Sequence, residues 1–228
     1  MSSKSHFILR VGTDFSGIGA PEQALTQLNV PHVVEFACDF DKFAKQSYLS
    51  NYSPNIFYDN VATRDHSSAP EVDLYVGGFP CQTFSIAGKR AGFNDTRGTL
   101  FFDLLQYLKL KTPKYFILEN VKGLVNHDKG NTYKTIMTCL RELKYTLYAK
   151  VLNTKHYGIP QNRERIFIVG FRDEHYFEFP QKINLNYKIK DFLESDVDER
   201  FYLKREQIEK LQEYNRRNAE KGNGFRAK

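Results

Sequence analysis

Short apolar runs alternate with stretches of helical periodicity along the first 180 residues of this chain. Phe7-Ile8-Leu9-Arg10-Val11, His32 to Ala37, Asp73 to Val76, Lys114 to Leu118, Tyr145 to Leu152 and Arg165 to Phe171 have the length and apolar content of buried strands. Between them, Pro21 to Leu28, Asp41 to Leu49, Thr99 to Leu110 and Thr132 to Leu143 carry apolar residues at helical spacing, the first with a proline in its opening turn. Strands separated by helices of about ten residues predict βαβ units and an α/β fold with a mostly parallel sheet, helices on both faces. In such a sheet, ligands bind beyond the carboxyl ends of the strands.

The pattern changes after Phe179-Pro180. Residues 181–228 are polar and rich in Lys, Arg, Glu and Asn, with one charged helix predicted over Glu206 to Asn218 and a glycine-containing end that reads as a linker. Two regions are therefore expected, 1–180 and 181–228. The composition, 41% hydrophobic and 26% charged over 228 residues, is that of a globular protein. No apolar run reaches transmembrane length, and the N-terminus lacks the pattern of a secretory signal. The three cysteines, Cys38, Cys81 and Cys139, are too scattered for a disulfide framework or a paired zinc motif, so no metal is expected and a cytoplasmic setting is. A formal charge of +6 is a mild bias toward a polyanionic partner.

Candidate chemistry lies at the predicted strand ends. Asp14-Phe15-Ser16-Gly17-Ile18-Gly19 follows the first strand and precedes a helix, where glycines permit a tight turn and close approach of a ligand, or simply a structural turn. Asp39 and Phe40 follow the second, placed to hold ribose hydroxyls and stack on a ring, or to cap a helix and fill a core. Pro80-Cys81-Gln82 follows the strand Asp73 to Val76 and opens a long basic segment with Lys89, Arg90 and Arg97. Cys81 there is either a thiolate nucleophile or a small buried residue. Glu119 ends the strand Lys114 to Leu118, within reach of the same edge. Arg163 and Arg165, two residues apart at a strand start, point to one face, for a ring edge, a phosphate or structural ion pairs.

Taken together and in this order, the F-S-G-I-G turn, the PCQ centre, the R-G-T-L-F-F-D run, the E-N-V triplet and the Q-N-R-E-R segment resemble the cytosine-5 DNA methyltransferases of bacterial restriction–modification systems, over residues 7 to about 172. The resemblance implies the Rossmann-like fold of S-adenosylmethionine-dependent methyltransferases. It implies transfer of a methyl group from that cofactor to carbon 5 of a flipped-out cytosine through a covalent adduct on Cys81. Glu119 would hold the base's N3 and amine edge, Arg165 its carbonyl, and Arg163 would support the thiolate loop. Phe15, Gly17, Gly19 and the neighbouring Ser16 backbone would line the methionine part of the cofactor. Asp39 would take the ribose, Phe40 the adenine face, and Asn60 with Val61 the adenine edge, with Pro80 and Leu100 also in contact. Many members carry Glu and Trp where this chain has Asp39 and Phe40, and Asp where it has Asn60. Asp14 sits one place later than the family's common acid and is assigned no role. Gln82, Ser85, Lys89 and Arg97 would meet duplex DNA or steady the closed loop.

The family's target-recognition region and final Gly-Asn-Ser-Val-like segment are not visible in the sequence. A catalytic subunit of a split enzyme, paired with a second polypeptide carrying those parts, or a truncated product is therefore expected. The alternatives are a transfer-RNA cytosine-5 methyltransferase, whose Cys-Phe-Thr signature is not found, and a catalytically incompetent subunit that binds DNA or cofactor.

Overall fold

The computed structural model describes residues 7–80 and 100–220. Cys81, Gln82, Ser85, Lys89 and Arg97 lie outside them. Seven strands are described: β1 (Leu9–Asp14), β2 (His32–Cys38), β3 (Ile56–Tyr58), β4 (Leu74–Gly77), β5 (Tyr115–Val121), β6 (Thr146–Asn153) and β7 (Glu164–Phe171). The α-helices among the described residues are α1 (Ala20–Gln27), α2 (Lys42–Asn51), α3 (Leu100–Lys111), α4 (Asn131–Glu142) and α5 (Arg205–Glu220).

The strands form one sheet in the order β3-β2-β1-β4-β5-β7-β6. β1 to β5 pair in parallel, and β7 runs antiparallel to both of its neighbours, β5 and β6. The sheet is thus mostly parallel, as the alternation of elements implies. The direction of β7 follows from its connection: the link from Asn153 to Glu164 contains one short 3-10 turn, too little chain for a crossover helix, so the strand doubles back. Two further differences from the sequence reading have local causes. β3, three residues long and bounded by Pro54 and Asn55, is too short to leave a periodic signal. β5 extends past Leu118 to Val121 because β7 pairs with it as far as Val121–Arg165, so Glu119 lies within the strand and not at its end.

From β1 the chain winds outward through β2 and β3, then returns to place β4 on the other side of β1. The carboxyl ends of β1 and β4 therefore flank a topological switch point, the crevice in which such sheets bind ligands. The core is one continuous cluster in which Phe101, Leu104, Tyr107 and Leu108 of α3 and Ile136 and Leu140 of α4 bury against Tyr75, Phe116, Leu118 and Ile166 of the sheet. Tyr48 of α2, fully buried, meets Phe57 of β3 edge-on with centroids 5.5 Å apart.

The chain divides into two compact units after Asn186. The second holds α5, braced by the i,i+4 pairs Arg205–Glu209, Glu206–Lys210 and Glu213–Arg217. Among its described residues no side chain is buried, and Ile208, Leu211 and Tyr214 are exposed on the helix. No described helix is long and apolar enough to cross a membrane.

Candidate active site

Three consecutive strand ends build a cleft of about 210 Å³ lined by Phe15, Cys38, Asp39, Phe40, Asn60, Val61, Ala62 and Leu100. The turn after β1 supplies its first wall. Phe15 and Gly17 adopt left-handed backbone with φ of 56° and 57°, and Gly19 stands at φ 92° as the N-cap of α1. A Cβ on Gly19 would lie 2.2 Å from the Tyr52 ring, so glycine is required there for space as well as for conformation. Ser16 points inward: its hydroxyl lies 2.7 Å from Thr13 Oγ1, 3.0 Å from the Thr13 carbonyl oxygen and 3.2 Å from that of Cys38, and it accepts from the Cys38 amide at 3.0 Å. Ser16 therefore stitches β1 to β2 and is not among the residues lining the cleft, nor are Gly17, Gly19 and Pro80.

The second wall begins at Asp39. Its Oδ2 accepts from the Gly17 amide at 2.8 Å and its Oδ1 from the Asp41 amide at 2.9 Å, while Asp41 caps α2 through Phe43 and Ala44. One carboxylate thus fixes the glycine turn and the entry to α2, with a lone pair on each oxygen left for a ligand. Phe40 is 78% exposed, its ring offered to whatever occupies the cleft rather than to the core. Burial, with the charge of Asp14 adding to it, pushes the Cys38 thiol up to about 12, which leaves it protonated and inert. The third wall is the turn after β3. Asn60 Oδ1 accepts from the Ala62 amide at 2.9 Å and Val61 is buried, whereas the neighbouring Asp59 points away to Lys45 at 2.5 Å. Cys38 and Ala62 complete the lining and were not anticipated; a small residue next to each named position was the available signal.

A second cluster stands at β5 and β7. Glu119 is opposite Phe167, so Arg165, two places along, is its diagonal neighbour on the same face. Arg165 Nε meets Glu119 Oε1 at 3.0 Å, and Arg165 Nη1 donates to the Glu164 carbonyl at 2.8 Å. Arg163 lies before the strand, exposed, with its carbonyl accepting from the Thr154 amide at 3.2 Å. Asn120 faces the other side, buried, and donates to the carbonyl of Phe79 at 2.7 Å, anchoring the chain two residues before Cys81. The two clusters meet above Gly78. A Cβ there would lie 3.7 Å from Glu119 Oε2 and 4.0 Å from the Phe15 carbonyl oxygen. Glycine leaves open the space between the carboxylate and the turn of the cleft.

Beneath the cleft lies an ion pair that the sequence reading passed over. Arg64 clasps Asp14 with Nη1–Oδ1 and Nη2–Oδ2 both at 2.7 Å, and Tyr75 donates to Asp14 Oδ2 at 2.6 Å. Both charged side chains are almost fully buried. Burial works against the guanidinium's charge, and Asp14 more than offsets it, so the pKa of Arg64 is raised. Burial and then Asp14 raise that of Tyr75 as well. The signal available was the acid at the end of β1, but its partner, 50 residues on, has no local mark.

The sequence resembles the family model for the C-5 cytosine-specific DNA methylases across residues 11–228. The chain belongs to the C-5 cytosine-specific DNA methylase family. It is 47% identical over 184 residues to the Type II methyltransferase M.NgoBI of Neisseria gonorrhoeae, covering 81% of this chain and 57% of that protein. To M.SsoII of Shigella sonnei it is 45% identical over 195 residues, covering 83% and 51%, and to M.HpaII of Haemophilus parainfluenzae 42% over 218, covering 92% and 60%. The chain therefore spans little more than half the length of these family members. Its fold matches that of the S. pombe Dnmt2 methyltransferase with a TM-score of 0.72 at 22% identity, over 92% of this chain and 67% of that one. The Entamoeba histolytica methyltransferase EhMeth gives 0.66 at 20%, over 87% and 63%.

Proposed function

We propose that this chain is the cofactor-binding and catalytic part of a restriction–modification enzyme that methylates carbon 5 of cytosine in a specific sequence of duplex DNA, in the cytoplasm. The observation that carries the reading is the shared space above Gly78, bounded by Glu119 on one side and the Phe15 turn on the other, three residues before Cys81. A methyl-transfer site must bring a held base and a donor to one point, and this is where the two clusters converge.

The cleft suits the adenosine half of S-adenosylmethionine. Its volume is below the ~300–1,000 Å³ usual for whole small-molecule sites, and its walls pair a ring, Phe40, with two oxygen-bearing side chains, Asp39 and Asn60. Asp39 would accept from the ribose hydroxyls, Phe40 stack on the adenine, and Asn60 and Val61 meet its edge, with Leu100 below. Phe15 and the backbone of Ser16, Gly17 and Gly19, with Pro80, would face the methionine part. The bound cofactor supplies an electrophilic methyl group on a sulfonium.

The remaining chemistry belongs to the chain. Carbon 5 of cytosine is a weak nucleophile until a thiolate adds to carbon 6. The Cys81 thiolate would form that bond and so make carbon 5 the nucleophile, toward a methyl group whose bond to the cofactor's sulfonium would break and leave a neutral thioether. Glu119 holds the amino edge and protonates N3, or donates a hydrogen bond to it, as negative charge develops there. Arg165, already bonded to Glu119, orients that carboxylate and reaches the base carbonyl, and Arg163 supports the thiolate loop. Water takes the proton from carbon 5, and the carbon–sulfur bond breaks to release Cys81 and restore the ring. The target carbon is shielded within a duplex, so the base is flipped out, with Gln82, Ser85, Lys89 and Arg97 contacting DNA. Residues 1–180 carry this chemistry, and residues 181–228 lead toward a recognition region supplied by a further part of the enzyme.

The test is transfer of tritiated methyl groups to DNA by this chain, alone and together with a polypeptide corresponding to the part of M.NgoBI that this chain does not match. Label at carbon 5 of cytosine in the mixture is the expected result. Transfer confined to RNA, or none under either condition, overturns the reading.

A further inference from the structure

Asp14 and Arg64 contribute no atom to the lining of the cleft, yet each adjoins residues that do. Asp14 immediately precedes Phe15, and Arg64 follows Ala62 by two residues. We infer that this buried pair is a positioning device for the cofactor cleft, a clamp that sets the turn after β1 against the turn after β3. The inference rests on the reading of the cleft as an S-adenosylmethionine site.

The geometry argues for the clamp from both ends. The hydrogen bonds of the turn after β3 are largely internal: Ala62 amide to Asn60 Oδ1 at 2.9 Å, and Thr63 hydroxyl to the Asn60 carbonyl at 3.4 Å. Its polar tie to the sheet is Arg64, through two bonds of 2.7 Å to Asp14. A planar fork on a carboxylate fixes orientation as well as distance, which a single hydrogen bond does not. The guanidinium also lies 4.8, 5.1 and 5.4 Å from the ring centroids of Phe36, Tyr58 and Tyr107. Tyr58 pairs with Cys38 in the sheet, and its carbonyl accepts from the Asp39 amide at 3.2 Å, so the same side chain bears on the strand ends that form the second wall. At the other end, the Asp14 carbonyl accepts from the Gly78 amide at 3.3 Å, and its carboxylate accepts from Tyr75 of β4, the strand that runs toward Cys81.

Stability alone does not require a bidentate ion pair here. Buried ion pairs are commonly replaced by apolar residues of similar volume without loss of stability, whereas removal of one partner strands a charge. Arg64 Nε has no hydrogen-bond partner among the described residues, so the pair is an imperfect stabiliser that nonetheless orients two walls.

The decisive variant is the apolar double replacement Asp14→Leu with Arg64→Met. It is expected to stay folded, with a urea midpoint lowered by the Tyr75 hydroxyl it leaves without Asp14, while the Gly17, Asp39 and Ala62 amides exchange about tenfold faster and S-adenosylhomocysteine, measured by calorimetry, binds about tenfold more weakly. Parental exchange and affinity in a folded double variant overturn the inference. Amide exchange needs no ligand: if those amides loosen but the parent chain itself fails to bind S-adenosylhomocysteine, the clamp stands and the cofactor reading falls. Should the double variant not fold, Arg64→Lys decides, since it keeps the charge and loses the fork. Faster exchange at the three amides supports the clamp; parental exchange refutes it.

Discussion

The two sides of the site are held by opposite means. At the cleft proposed for the cofactor the lining residues sit over buried polar groups: Asp14, Arg64 and Tyr75 in one cluster, and Glu22 with Thr13 and Tyr48 at 3.0 and 2.7 Å in another. On the side proposed to hold the base stand part-exposed side chains, Glu119 and Arg165, placed by the diagonal register of two antiparallel strands. The difference teaches which side tolerates change. A site fixed from below by buried charges loses its fold when one of them is removed; a site fixed by strand register loses only its function.

Cys81→Ser sharpens this most, since it removes the proposed nucleophile altogether. Methyl transfer in the complemented assay should fall by about four orders of magnitude or more, with an unchanged urea midpoint; residual turnover near the parent's would show that the bond to carbon 6 is made elsewhere. Asp14→Ala tests the opposite side. It strands the Arg64 charge and should destabilise the chain by about 3–5 kcal/mol, read from urea denaturation, whereas Arg165→Ala, at a part-exposed pair, should cost about 1 kcal/mol and still abolish transfer. Equal losses of stability in the two variants would break the comparison. Phe40→Ala removes a ring that is 78% exposed. Its expected effect is about 1–2 kcal/mol of S-adenosylhomocysteine affinity, with stability unchanged.

The smallest effect concerns pH. His66 is buried beside Arg64, with Nδ1 3.4 Å from its Nη2, and burial followed by the Arg64 charge holds its pKa below the ordinary value. The unfolded chain therefore takes up a proton on this residue before the folded one does. Stability from this source is present above the ordinary histidine value of about 6.5 and is lost as pH falls from there toward the folded pKa. Urea midpoints at pH 7.5 and 5.5 should differ more in the parent than in His66→Gln; an identical drop in both would exclude His66 as the source.

The sequence made legible what depends on local pattern. Alternating elements announced a mostly parallel α/β sheet, and the motifs at the strand ends marked Phe15, Asp39, Phe40, Asn60, Val61 and Leu100, all of which line the cleft. The two-residue spacing of Arg163 and Arg165 suggested a shared face, but only Arg165 lies in the strand and pairs with Glu119. The side chain of Ser16, in the glycine turn, points inward because two strands need their backbone groups satisfied at that point.

Hydrophobic period and glycine placement are short-range properties, so the chain itself determined its elements, the family it belongs to and the edge where its chemistry gathers. Tertiary structure decided what depends on partners distant in the chain. The reversal of β7 extends β5 and sets Glu119 diagonal to Arg165, and closure of the sheet carries Arg64 to Asp14. A buried charge survives only where its counter-charge is delivered to it, and no run of neighbouring residues records that meeting.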